Sequence, residues 1–141
     1  MSEHSFTAAW KLNVEASELP FPAPLHLVVA INDEGDKLWI AEDSVDAQGR
    51  TELVSLRARF DDQLYPVEGS SMVDEFAVRR VDDRTLRTRG LKGGKEMFEA
   101  TLELSPDGKS FTERVETTLA DGTRAPAVLV FERLDRTGRV L

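Results

Sequence analysis

Eight turn signals break this chain at nearly even intervals, and only short extended segments fit between them. They are Asp33-Glu34-Gly35-Asp36, Ala47-Gln48-Gly49, Asp61-Asp62, Glu68-Gly69-Ser70, Asp82-Asp83-Arg84, Gly93-Gly94, Pro106-Asp107-Gly108 and Asp121-Gly122. Asp and Gly gather in such turns because the Asp carboxylate folds onto its own backbone, while Gly enters positive φ at no steric cost. The intervening runs of roughly 7–10 residues are rich in Val, Leu, Phe and Thr, the pattern of an antiparallel meander. A meander of this length removes its exposed edges most economically by closing into a barrel. No stretch holds a 3.6-residue period for longer than one turn, so helix should be nearly absent.

The runs themselves alternate as half-buried strands do. In Phe6–Val14, the residues Phe6, Ala8, Trp10, Leu12 and Val14 share one face, and Thr7, Lys11 and Asn13 share the other with Ala9. Further strands are expected at Leu25–Ile31, Leu38–Val45, Glu52–Phe60, Val73–Val81, Thr85–Leu91, Met97–Leu104, Phe111–Leu119 and Ala127–Leu134. That makes about nine strands, or ten if one splits. The segment Leu19-Pro20-Phe21-Pro22-Ala23-Pro24 can be neither helix nor central strand and should cross one end of the barrel extended. The fold class expected is therefore all-β: a single up-and-down antiparallel β-barrel over residues 1–135. Residues 136–141 form a flexible C-terminal tail.

Composition narrows the function classes. A chain of 141 residues suits one domain with a real core, and 40% hydrophobic with 31% charged residues is the balance of a soluble globular protein. The 18 basic against 26 acidic residues give a net charge of −8, which argues against a nucleic-acid partner, since phosphates demand a basic footprint. Without cysteine there is no disulfide, no thiol chemistry and no thiolate metal site. The opening Met1-Ser2-Glu3-His4-Ser5 has no basic, then apolar, secretory pattern, and the longest apolar run is the strand-sized Leu27–Ile31. No membrane span is expected, and the expected location is cytoplasmic.

Three short stretches carry a resemblance: Ala9-Trp10-Lys11-Leu12-Asn13, Tyr65-Pro66-Val67-Glu68-Gly69 and Val130-Phe131-Glu132-Arg133. With them the chain resembles the lipocalin-like (calycin) proteins of bacteria, whose first strand opens on a G-x-W-like motif. In strand rhythm it is distantly similar to the fatty-acid-binding proteins. It departs from the first in having Ala8 where the glycine stands, and from the second in having Glu15–Pro24 in place of a helix pair. The resemblance implies a barrel whose floor is Trp10, with Arg133 laid over its ring. Such a cation–π contact contributes about 0.5–1 kcal/mol at exposed sites.

Candidate chemistry lies on the strands. Arg57 and Arg59, Arg79 and Arg80, and Arg87 and Arg89 place guanidinium groups on neighbouring strands. Pointing inward, they would grip a carboxylate or phosphate; pointing outward, they would pair across strands with residues such as Glu52, Glu75 and Glu99. Arg80 shares a face with Phe76 and Val78 and is the best single candidate for an inward charge. Arg114 is ambiguous in the same way. His26 reads either as a polar handle in a cavity or as a satisfied structural residue; His4 carries no signal.

Catalytic and metal motifs are missing. Gly69-Ser70-Ser71 is no G-x-S-x-G elbow, Asp33–Asp36 and Asp43–Asp46 miss the calcium spacing, and Gly90–Lys95 falls one residue short of a P-loop. No cofactor and no metal are expected. The functional expectation is non-covalent binding of a small hydrophobic or amphipathic molecule, anionic if the arginines face inward, with Trp10, His26, Phe60, Phe76, Arg80, Phe98, Phe111 and Arg114 as candidate contacts. A structural or interaction protein with a filled barrel, acting as a homodimer through sheet edges or an apolar face near Trp39, is the alternative. A cavity-based enzyme using Glu113 or His26 is the third reading.

Overall fold

The computed structural model describes residues 5–141; His4 lies outside them. Ten strands form among the described residues: β1 (Ala8–Glu18), β2 (His26–Asp33), β3 (Lys37–Val45), β4 (Thr51–Arg59), β5 (Tyr65–Glu68), β6 (Glu75–Asp82), β7 (Thr85–Lys92), β8 (Lys95–Leu104), β9 (Ser110–Thr118) and β10 (Arg124–Arg133). Each pairs antiparallel with the next along the chain, and β1 closes on β10 to complete an up-and-down barrel. No helix among the described residues is long and apolar enough to cross a membrane.

The tenth strand is β5. It lies between the Asp61-Asp62 and Glu68-Gly69 turns and is held by only two residue pairs on each side, to β4 and to β6. Pro66 has no N–H to give, which limits that ladder. Gly69 closes the strand at φ +87°, where an added Cβ would collide with the Leu53 carbonyl. The β1–β10 seam is also irregular: its register shifts between Asn13 and Glu18. There the Ser17 hydroxyl donates to the Asn13 carbonyl at 2.7 Å and accepts from the Val130 amide at 3.0 Å.

One end of the barrel is sealed. Trp10, fully buried, stands edge-on to Phe111 with ring centres 4.9 Å apart, and Phe111 stacks on Phe131 at 4.8 Å. Phe6 adds an edge contact from below, and its carbonyl accepts the Trp10 indole N–H at 2.8 Å. The Arg133 guanidinium lies 4.7 Å over the Trp10 ring and donates to the carbonyls of Gly108 (2.8 Å), Ser5 (2.6 Å) and Thr7 (3.3 Å). Around this cluster Leu38, Val78, Leu86 and Leu104 are almost wholly buried. Residues 135–141 turn back beneath the floor. The Asp135 carboxylate accepts the Thr137 and Arg139 amides, Leu134 bridges Val140, and the Leu141 amide reaches the Arg133 carbonyl at 3.0 Å.

Candidate ligand site in the barrel interior

Strand register decides which side chains face inward, because alternate residues of a barrel strand point to opposite sides. Starting from the buried Trp10–Val29 pair, the inner face follows through Val29–Glu42, Glu42–Val54 and onward round the ring. From the floor the inner face is tightly buried. In the opposite half, the inward-facing Leu27, Ile40, Val67, Phe98, Val115 and Leu129 pack on the core yet remain only half-buried, and Val54 is half-buried on the same inner face. The inner face of that half is thus less tightly buried than the floor end, and most of its side chains are apolar.

Two carboxylates look into that space. Glu113 is the next inward residue of β9 after Phe111, one layer above the aromatic floor, and its cross-strand neighbours are Leu102 and Leu129. Glu42 faces inward from β3 between Val29 and Val54. Protein surrounds both carboxyls on nearly all sides, and the loss of water pushes each up to about 7, well above an ordinary glutamate. Each is also subject to like-charge repulsion: Glu42 raises Glu113, and Glu52 adds to the effect on Glu42. Glu52 has a task of its own at the rim, where its carboxylate accepts the Ser71 amide at 3.2 Å.

The expected contact residues divide into four groups. Trp10 and Phe111 belong to the floor. Phe76 and Phe98 line the wall above it, with ring centres 6.4 Å apart. Phe98 fits because Gly90 opposite has no side chain; a Cβ there would collide with the Phe98 ring. Arg80 does point inward, but at the sealed end, where it lies 4.1 Å over the Phe60 ring and donates to both Asp33 oxygens at 2.9 and 3.1 Å. That ion pair is mostly buried and closes the floor beside Phe60. His26 and Arg114 face outward: His26 sits 3.4 Å from Asp43, and Arg114 is exposed on the outer wall.

The remaining arginines also decorate the outside. Arg87 meets Glu99 at 3.7 Å, Arg89 meets Asp62 at 3.4 Å and Arg59 meets Asp36 at 3.5 Å. A depression of about 370 Å³ between Arg87, Glu99, Thr101, Arg114, Glu116 and Pro126 is wide open to solvent and lacks the enclosure of a small-molecule site. Sequence reasoning marked Glu113 through its place on the Phe111–Val115 face but passed over Glu42. The signal was there: Leu38, Ile40 and Glu42 share a face, and Glu42 extends it. No protein-family model matches this chain, and no curated protein matches it.

Proposed function

We propose that this protein is a lipocalin-like carrier that binds one small hydrophobic or amphipathic molecule, without covalent chemistry, in the unfilled half of its barrel. The observation that carries this reading is the set of inward-facing apolar side chains that stay half-buried above a sealed floor. A floor built from Trp10, Phe111, Phe131 and Arg133 fixes the depth of the site. Half-buried Leu27, Val54, Val115 and Leu129 offer apolar area, worth roughly 25 cal/mol for each Å² that a ligand covers. The interior arginine is already committed to Asp33, so an anionic head group has no free partner there and the acidic walls disfavour it. Titration with Nile red, a neutral apolar dye, tests the reading. Saturable one-to-one binding with a blue-shifted emission is expected. An emission unchanged from buffer would overturn the proposal.

A further inference from the structure

The unused chemistry of the interior is its pair of carboxylates. Glu42 and Glu113 stand on inward faces of walls separated around the barrel by β2, β1 and β10, and the Glu42 charge acts on Glu113 across the interior. Neither side chain has a hydrogen-bond or ion-pair partner among the described residues, although both are enclosed by protein. An enclosed carboxylate without a partner is costly, by several kcal/mol for a full charge, so it is rarely left so unless something completes it. Every interior cation of the barrel lies at the sealed end, where Arg80 holds Asp33 and Arg133 holds the floor carbonyls. The strands flanking Glu113 place only Leu102 and Leu129 beside it; those flanking Glu42 place Val29 and Val54 beside it, and β4 adds Glu52 on the same face, its carboxylate tied to Ser71. The field inside the binding half is therefore negative and uncompensated.

Two carboxylates are too few oxygens for a calcium-type site, and among the described residues no three metal-binding side chains gather. What matches two acidic groups set in apolar walls is a cation attached to an apolar body. We propose that the interior takes an amphipathic amine, its protonated nitrogen between Glu42 and Glu113 and its hydrocarbon part against Val54, Val115, Leu129 and Phe98. This rests on the interior being the binding site and adds to it the chemical class of the ligand. The ammonium supplies the missing partner, so the complex favours ionised carboxylates. Protons held by the pair near neutral pH pass to solvent as the amine binds.

The test displaces bound Nile red with decylamine, decanol and decanoate, which share a chain and differ in head group. Decylamine is expected to displace the dye at a concentration about ten-fold below decanol, with decanoate the weakest of the three. Calorimetry in two buffers of different ionisation heat should read roughly one proton released per amine bound near pH 7. In Glu42→Gln and Glu113→Gln the ratio of the decanol to the decylamine midpoint, measured within each variant, should shrink, and in the double variant it should fall to about one. Equal midpoints for amine and alcohol, or an amine preference that survives the double variant, would overturn the inference and leave interior binding standing. Failure of all three chains to displace the dye would instead overturn interior binding, and this inference with it.

Discussion

At the scale of single residues, the barrel keeps two kinds of acid with opposite effects of pH. The turn aspartates accept hydrogen bonds from nearby in the chain, Asp46, Asp82 and Asp107 chiefly from backbone amides and Asp121 and Asp135 chiefly from the Thr123 and Thr137 hydroxyls, which holds their carboxyls below the usual range. Glu42 and Glu113 go the other way. Their folded value near 7 lies above the ordinary 4.5, so the folded protein binds protons that the unfolded chain has released. Their contribution to stability is therefore greatest below about pH 4.5 and is lost as pH rises to about 7. Glu113→Gln should unfold at higher urea than the parent at pH 8, by about 1–3 kcal/mol, and match it near pH 4. Equal unfolding midpoints at pH 8 would show that the Glu113 carboxyl is not desolvated. The turn aspartates were legible because their role is local, and Glu113 was legible because it interrupts an apolar face. Glu42 extends the Leu38–Ile40 face in the same way, but Asp43 and Asp46 beside it mask that signal by making the stretch look like solvated surface.

At the scale of elements, the interior is shaped by where strands lack side chains or pairs. Gly90 on β7 gives the Phe98 ring of β8 its place on the wall, so the two positions are one device. Gly90→Ala should destabilise the barrel by about 1–3 kcal/mol, and much of that loss should disappear in the Phe98→Ala background. Additive losses in a denaturant double-mutant cycle would mean that ring and glycine do not share space. The strand count was within reach of the sequence. Eight turn signals and the proline segment make nine connections, and nine connections join ten strands. The missing one, β5, is short, carries Pro66 and alternates too little to read as a strand. Its pairing comes from β4 and β6 on either side, which is tertiary information. The inward or outward choice for Arg80, Arg114 and His26 was illegible for a related reason. Faces are set by register and by tight local partners such as Asp33 and Asp43, neither of which alternation names.

At the scale of the whole molecule, a chain of net charge −8 keeps its outer wall laced with ion pairs and gathers Phe6, Trp10, Phe111 and Phe131 at one end. The floor holds the most deeply buried side chains, and the half above it is the less tightly buried one. A barrel packed evenly along its length would need no such asymmetry. The central claim is that a small amphipathic molecule sits inside that upper half, and methyl NMR during a decanol titration tests it most directly. The account expects saturable shifts, with intermolecular contacts, at the inward methyls of Leu27, Val54, Val115 and Leu129. The outward Leu53, which is 75% exposed, should stay still. Shifts confined to Leu53 and other outer-wall methyls, or none at saturating decanol, would contradict it.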